Sequence, residues 1–296
     1  RRKYKVMRTS CLCASLYLPV SSVFFADYFN NGKPMAFQGL KPQHIDRLLP
    51  HGLVATRQWV LEQGVSRHAL DNAVKSHRLH KLAVGVYARA ESRLSWQAVV
   101  CSLQRMADRS VLVGGVSALQ VLGLGQYLSF GDTQKLHLYA EGKVPGWLGR
   151  VAAKASFQWH STRMLWGAEV LENKTYQKHL QWRDDLPEIA LSCSEKAYLE
   201  MLADIPDGIS FDHADELMQG LTSLSPSKLD ALLRGCKSIK VKRLFFWLAS
   251  RHNYPWFRKL NRDDYDLGKG KRVIAKSGKL DNTYLITVPE HLHGPK

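Results

Sequence analysis

The chain has 296 residues, long enough for two domains or for one large domain with a small attachment. Its hydrophobic content of 45% and charged content of 23% are those of an ordinary soluble protein, and no apolar run reaches the roughly 18 residues of a membrane span. With 42 Lys and Arg against 26 Asp and Glu, the net charge of +16 favours a polyanionic partner, either nucleic acid or an anionic membrane.

The cysteines indicate a reducing compartment. They are odd in number, scattered, and never spaced as CxxC: Cys11, Cys13, Cys101, Cys193 and Cys236. This pattern is typical of free thiols in the cytosol and predicts a cytoplasmic protein.

Residues 1–34 differ from the rest of the chain. A cationic start, RRKYKVMRTS, precedes the apolar segment CLCASLYLPVSSVFFA, as in a secretory signal peptide. Nothing after this segment has the character of a secreted protein, and the globular pattern begins at Met35. We therefore interpret residues 1–34 as a poorly ordered extension or translated upstream sequence, with a signal peptide as the alternative.

Two short helices are predicted before residue 65. The first covers 40–50 and ends at Pro50. The second covers 54–64, with Val54, Trp59, Val60 and Leu61 near one face, and it ends at Gly64.

The next segment predicts a third helix and a hairpin. Ser66 is the expected N-cap, and Ala69, Leu70, Ala73 and Val74 form the buried stripe. The outward positions are Arg67, His68, Asp71, Asn72 and Lys75. Alternating apolar and polar residues then surround Gly85. The order of helix, turn, helix and hairpin predicts a winged helix-turn-helix over 35–90.

The exposed residues of this unit are suited to DNA. Its second helix would enter the major groove, where Arg67 suits a guanine edge and Asn72 an adenine edge. Phosphates or the minor groove would be contacted by four hairpin residues: Arg78, His80, Lys81 and Arg89. Eight basic against three acidic residues give 35–90 a net charge of +5. A module of the same fold that binds protein is the alternative.

The pattern changes after Ser92 and predicts a larger α+β domain over 91–296. An amphipathic helix, SWQAVVCSLQRMAD, is followed by a buried strand, a Gly-Gly turn and a helix in SVLVGGVSALQVLGLGQYL. Further strands are predicted in KLHLYAEGK and ASFQWHSTRML, and helices in LSCSEKAYLEMLADIP, with Ser194 as its N-cap, HADELMQGL and SPSKLDALLRGC. A closing hairpin with its turn near Ser277-Gly278 ends the domain.

Basic and aromatic residues alternate over 237–262, which allows two interpretations. Aromatic rings beside cations suit single-stranded nucleic acid. However, Leu244, Phe245 and Leu248 have the spacing of a core helix with a solvated basic back, which we favour.

Catalytic patterns are weak. Asp132 and Glu141 with Lys143 resemble the carboxylates and lysine of a Mg²⁺-dependent nuclease, but a similar Glu-x-Lys recurs at Glu172. The His-containing segments FDHADE and EHLHG lack metal-ligand spacing. We therefore predict no enzyme, no metal and no cofactor, with a winged-helix-tethered endonuclease using Asp132, Glu141 and Lys143 as the alternative.

Three segments together resemble the AbiEi antitoxins, the regulatory half of abortive-infection type IV toxin–antitoxin operons. They are LVATRQWVLEQGVSRHALDNAVKSHRLHKLAVGVYA, VGGVSALQVLGLGQYL and LSCSEKAYLEMLADIP. The resemblance covers roughly 260 residues from Met35 onward. The 34 residues before Met35 depart from the usual start of the family.

The resemblance implies two activities. The winged helix would bind repeats in the promoter of its own operon and repress it. The larger domain would counter a nucleotidyltransferase toxin, without needing a stable complex. Carried over by position, DNA contacts fall on Ser66, Arg67, His68, Asp71, Asn72, Lys75, Arg78, His80 and Lys81. A monomer or a homodimer is compatible with this function.

Overall fold

The computed structural model describes residues 43–89, 94–125, 134–151 and 155–293. The predicted extension 1–34 and Asp132 lie outside these residues. Helices and short strands are mixed along the described chain, which confirms the predicted α+β class. Within the described ranges, no helix is both long enough and apolar enough to cross a bilayer.

The first part folds as a winged helix-turn-helix. Its elements are α1 (Gln43–Leu48), β1 (Val54–Thr56), α2 (Arg57–Glu62), α3 (Arg67–Lys75), β2 (Leu79–Ala83) and β3 (Val86–Arg89). The three strands pair antiparallel in the order β1-β3-β2, which leaves β2 at an edge.

The start of the predicted helix over 54–64 is wrong. Its first three residues form β1, in which Val54 pairs with Ala88 of β3. The helix begins only after Thr56, whose hydroxyl accepts a hydrogen bond from the Trp59 N–H at 3.3 Å and so caps α2. Buried β-branched residues pair well with a neighbouring strand, and this non-local pairing overrides the local helical pattern.

The turn between α2 and α3 forms as predicted. Gly64 has a φ of 85°, a left-handed conformation that ends α2 at little steric cost. Ser66 caps α3, since its hydroxyl accepts from the Ala69 N–H at 3.1 Å. Leu70 and Ala73 are fully buried and attach α3 to the sheet.

The larger part is built on a five-stranded mixed sheet. Its elements are α4 (Trp96–Met106), β4 (Val111–Val113), α5 (Gly115–Val121), β5 (Gln134–Ala140), β6 (Ala155–Ser161), α6 (Ala168–Leu171), β7 (Gln177–Leu180), β8 (Ile189–Ser192), α7 (Ser194–Leu202), α8 (Phe211–Gly220), α9 (Pro226–Gly235), α10 (Ile239–His252), β9 (Lys279–Asp281) and β10 (Ile286–Val288). The strand order is β6-β5-β4-β8-β7. The β5–β6 and β4–β8 pairs are parallel, and the other two are antiparallel.

The two faces of β5 contact different parts of the molecule. Leu136 and Leu138 are buried in a hydrophobic core with α4. His137 and Tyr139 alternate with them and therefore point to the opposite face. On that face the backbone of His137 is bonded to the N-terminal end of α5, through the Ser117 hydroxyl.

The winged helix and the sheet share one hydrophobic core. Residues of α1, α3 and the hairpin belong to the same buried cluster as α4, β4 and β8. The Val54 N–H of β1 also donates to the Ser102 hydroxyl of α4 at 2.9 Å, in a buried position. The predicted division between 35–90 and 91–296 stays a prediction, and residues 90–93 lie outside the described ranges.

Helix α10 confirms the core interpretation of the basic-aromatic segment. Leu244, Phe245 and Leu248 are fully buried. The prediction of a solvated basic back is wrong for Lys242, which is 5% exposed, and for Arg243, which is 1% exposed. Arg243 remains charged inside because its guanidinium donates to four backbone carbonyls, those of Leu267, Gly268, Gly270 and Leu285.

Two local predictions in the larger part need correction. The N-cap of α7 is Cys193, and Ser194 is the first helical residue. The closing hairpin turns between β9 and β10 rather than near Ser277-Gly278. The Asp281 carboxylate forms this turn by accepting from the N–H groups of Thr283 and Tyr284 at 2.9 and 2.8 Å.

The described cysteines are free thiols, as predicted. Cys101, Cys193 and Cys236 are buried. Burial raises the pKa of Cys193 to about 12 and that of Cys236 to about 11. These thiols therefore remain protonated and unreactive at neutral pH.

Candidate nucleic-acid interface

Helix α3 presents one polar face to solvent. We call it the reading face, and its five residues are all exposed, as the spacing predicts: Arg67, His68, Asp71, Asn72 and Lys75. Because α3 begins at Arg67, this residue lies at the end of the helix that enters the major groove first in a winged helix.

Two pairs of side chains contact each other on or beside the reading face. The Asn72 amide nitrogen lies 2.9 Å from the His68 ring nitrogen, one helical turn earlier. The Asp71 carboxylate lies 3.7 Å from the guanidinium of Arg57 in α2. The Arg57 charge offsets the only acidic residue of a face that would approach phosphates. Among the described residues, neither Arg67 nor Lys75 has an ion-pair partner.

The residue that caps the N-terminal end of α3 bonds within the helix itself. The Ser66 hydroxyl accepts from the Ala69 N–H, so this residue supports the helix as well as lying at its exposed start. The helix dipole places partial positive charge at the same end, which favours a phosphate group there.

The hairpin places a second polar surface beside α3. His80 and Lys81 are exposed on the edge strand β2, and Leu79 before them is fully buried. The turn carries Val84, which is 72% exposed, next to Gly85 with a φ of 72°. An exposed apolar tip with cations behind it is suited to the wall of a groove.

Arg78 and Arg89 are half-buried and converge on one carboxylate. Asp46 of α1 lies 3.5 Å from the Arg78 guanidinium and 4.0 Å from that of Arg89. The two arginines therefore connect the hairpin to α1. Partly exposed ion pairs of this kind contribute only about 0–1 kcal/mol, so they do not prevent a contact with phosphate. The predicted DNA roles of these and the other named residues stay predictions.

The residues of the nuclease alternative are not arranged as a metal site in the described part of the chain. The Glu141 carboxylate accepts a hydrogen bond from Arg109 at 2.9 Å, forming an ion pair. A magnesium ion would have to displace this arginine. Lys143 is exposed nearby, and Asp132 lies outside the described residues.

A polar cluster on the face of β5 and β6 that lies opposite α4 was not identified from the sequence. His160 Nε2 lies 2.9 Å from His137 Nδ1, and His160 Nδ1 lies 3.3 Å from Asp204 Oδ1. The Tyr139 hydroxyl donates to Asp204 Oδ2 at 3.4 Å. The only signal in the sequence is the alternation of polar residues along β5, since His160 and Asp204 are far from β5 in the chain.

Burial sets the charge states of His137 and Tyr139. Burial and the nearby His160 lower the pKa of His137 to about 4, although Asp204 opposes the shift. The ring of His137 is therefore neutral at physiological pH. Burial and the charges of Glu200 and Asp204 raise the pKa of Tyr139 well above its usual value, so its hydroxyl remains a donor.

The capped helix, its basic hairpin and the attached five-stranded sheet define a winged-helix protein with a larger α+β part. A family described as the transcriptional regulator AbiEi antitoxin N-terminal domain matches residues 39–130. A family described as the transcriptional regulator AbiEi antitoxin of the type IV toxin–antitoxin system matches residues 133–289. The chain therefore belongs to the AbiEi antitoxin family of transcriptional regulators, which confirms the resemblance.

Comparisons beyond the family are less informative. No curated protein gave a significant match. Among solved structures, the RV2827C protein from Mycobacterium tuberculosis is similar at 16% identity and a TM-score of 0.46, over 83% of this chain and 88% of that chain. A likeness at this TM-score supports no conclusion about function.

Proposed function

We propose that the chain binds the promoter of its own toxin–antitoxin operon and represses it. One observation carries this proposal: α3 is capped and attached by its apolar stripe, while every polar residue of the reading face is exposed beside a basic hairpin. A major groove about 12 Å wide admits such a helix. The neighbouring cations would reach the phosphates that flank the groove.

In this proposal Arg67 donates two hydrogen bonds to a guanine edge at the leading end of α3. Asn72 would read an adenine, and its contact with His68 would hold the amide in position. His80 and Lys81 on β2 would contact phosphates, so they would contribute affinity without sequence preference.

The second half of the proposal is that the chain counters a nucleotidyltransferase toxin encoded in the same operon. This half rests on the match of residues 133–289 to the type IV antitoxin family. In such a system the antitoxin need not hold the toxin in a stable complex. Both activities would take place in the cytoplasm, where the DNA and the toxin are.

Operator titration of the full chain tests the DNA-binding half. Fluorescence anisotropy with a duplex from the promoter of its own operon should show binding at least about 10³-fold tighter than to a random duplex. The logarithm of affinity should fall linearly with the logarithm of salt concentration, because bound phosphates release counterions. Equal affinity for both duplexes would contradict a repressor of specific sequences.

The same titration separates the alternatives. A winged helix that binds only protein would show no salt-dependent affinity for either duplex. A nuclease would shorten the duplex when Mg²⁺ is added, and Glu141→Gln would abolish the cleavage. Co-expression with the adjacent toxin gene in cells tests the antitoxin half separately, with cell survival as the readout.

A further inference from the structure

We propose that His137, His160 and Asp204 form a binding site for a divalent first-row transition ion such as Zn²⁺. Among the residues that the structure describes, this group brings one donor atom from each of three side chains within 4.8 Å of one another. Two imidazoles and one carboxylate are a ligand set that catalytic zinc sites and non-haem iron(II) sites use. The site is separate from the proposed DNA interface.

The fold brings the three side chains together from three elements. His137 lies on β5 and His160 on the parallel neighbour β6, where the register pairs Tyr139 with His160. Residues 137, 139 and 160 therefore lie on the same face of the sheet. Asp204 follows Ala203, the C-cap residue of α7. Helix α7 packs against α5, and α5 in turn packs against β5.

The distances fit a tetrahedral ion after a small adjustment. A single ion takes one nitrogen from each ring and one oxygen from Asp204, and such a set of three atoms lies within 4.8 Å of one another. His137 Nδ1 lies 2.9 Å from His160 Nε2 and 3.9 Å from Asp204 Oδ2, whereas the 3.3 Å contact with Asp204 Oδ1 involves the other ring nitrogen of His160. Ions with bonds of about 2.0–2.2 Å hold their donors about 3.4 Å apart. The largest separation within the set, at most 4.8 Å, would have to shrink by no more than about 1.4 Å.

The backbone that carries His137 is fixed in advance. Its N–H donates to the Ser117 hydroxyl at 2.9 Å, and its carbonyl accepts from the Gly114 N–H at 3.0 Å. Gly114 joins β4 to α5, and Ser117 lies in the first turn of α5. A ligand held on both sides of its peptide unit loses little conformational entropy on binding a metal.

The cluster is shielded but reachable. The side chains of His137, His160 and Asp204 are 11%, 21% and 19% exposed. Three protein ligands leave at least one coordination position for water, and Tyr139 beside Asp204 could donate a hydrogen bond to such a water. An ion here would connect β5, β6 and the end of α7.

The test uses the full chain after dialysis against a chelator. Cobalt(II) should add one equivalent per chain with the visible absorption of a four-coordinate ion, and Zn²⁺ should displace it. Zinc should also raise the unfolding temperature, and a chelator should reverse the shift, because the ion binds only the native state. His160→Gln and Asp204→Asn should weaken binding by more than the about 10–100-fold that loss of an outer-shell partner causes.

A matched control is His179→Ala. This histidine also lies beside a carboxylate, 3.7 Å from Glu188, but it is half-exposed on β7 and outside the cluster. The control should bind one equivalent as the unchanged chain does. Operator affinity should be the same with and without zinc. The readouts of this test are metal uptake and unfolding temperature, so its result does not depend on the proposed repressor function.

Two results would overturn the proposal. In the first, the unchanged chain takes up no cobalt or zinc; the cluster is then only a hydrogen-bond network between the sheet and α7. In the second, the His160→Gln and His179→Ala variants bind the ion equally well, so the metal is held elsewhere. The first result is measured on the unchanged chain, so the proposal can be overturned even if a variant fails to fold.

Discussion

Asp46 and Arg78 join the first helix of the winged helix to its hairpin, with 3.5 Å between carboxylate and guanidinium. Arg89 approaches the same carboxylate from β3. An acidic residue thus lies behind two of the cations that we propose to face DNA. Its charge reduces the attraction of the hairpin for phosphates.

The Asp46→Asn variant should therefore bind DNA more tightly. Removing one negative charge frees Arg78 and Arg89 for phosphates, so affinity should rise for all sequences alike, with a steeper dependence on salt. Anisotropy titrations over a series of salt concentrations measure both quantities. Asp207→Asn, an exposed position on the larger domain, is the control for charge alone. If Asp46→Asn binds more weakly, the ion pairs instead position the hairpin for binding.

Arg67→Ala tests the reading helix. The exposed guanidinium at the start of α3 is expected to read one base, so its loss should cost about 1–3 kcal/mol of specific binding and relax preference at one position. Titration against a set of single-base operator variants measures the preference. Lys178→Ala on β7 removes an exposed charge elsewhere and should change little. Unchanged affinity and preference in Arg67→Ala would remove this residue from the contacts.

Replacing Arg78 and Lys81 together with Ala should weaken binding to all sequences. Each lost phosphate contact flattens the plot of log affinity against log salt by about 0.9, so the pair should change the slope by about 2. Lys81→Ala alone should give about half of this change and leaves the contact between Arg78 and Asp46 in place. An altered base preference with an intact slope would mean that the hairpin reads bases instead.

Gly114→Ala should destabilise the larger part of the protein and leave the residues of the reading face unchanged. A Cβ at this position would lie 2.3 Å from the buried Glu200 carboxylate and 2.5 Å from the Tyr139 ring. Such overpacking costs about 1–3 kcal/mol. Urea unfolding measures the change, with Gly142→Ala as control because, within the described part of the chain, nothing apart from its two chain neighbours lies within 4 Å of its Cβ position. Equal stability of the two variants would show that this region relaxes readily.

A fragment covering 91–296 tests whether repression and neutralisation are separable. It lacks α3 and should not bind the operator. It should also unfold at a lower temperature than the full chain, because α4 loses its buried contacts with the winged helix, including the Ser102 bond to Val54. Circular dichroism and toxin survival assays measure the two properties. An unchanged unfolding temperature would mean that the two parts are energetically independent.

Local signals in the sequence were enough to predict the winged helix. Gly64, Ser66 and Gly85 mark a turn, a cap and a hairpin, and each acts on neighbouring residues only. Strand β1 could not be predicted in this way. Its three residues continue a helical pattern, and only pairing with β3 some thirty residues later makes them a strand.

The buried polar groups could not be predicted for the same reason. Arg243 resembles a solvated cation until the chain from Leu267 to Leu285 supplies its carbonyl partners. His137 and His160 come together through a parallel register, which no local pattern specifies. Residues that depend on contacts far along the chain are therefore the ones that sequence reasoning misses.

The hydrogen bond between Val54 and Ser102 has a consequence for engineering new DNA specificity. A chimera that takes the winged helix of one relative and the remaining chain of another would bring an unrelated α4 beneath β1 if the two were joined at residue 90. The transplanted module would then lose both its buried hydrogen-bond acceptor and its matching apolar surface. Joining the two sequences after Met106 would keep Ser102 with Val54 but would separate Gln104 of α4 from Ala190 of β8, with which it exchanges two hydrogen bonds. An exchangeable DNA-reading module therefore has to match both sides of α4.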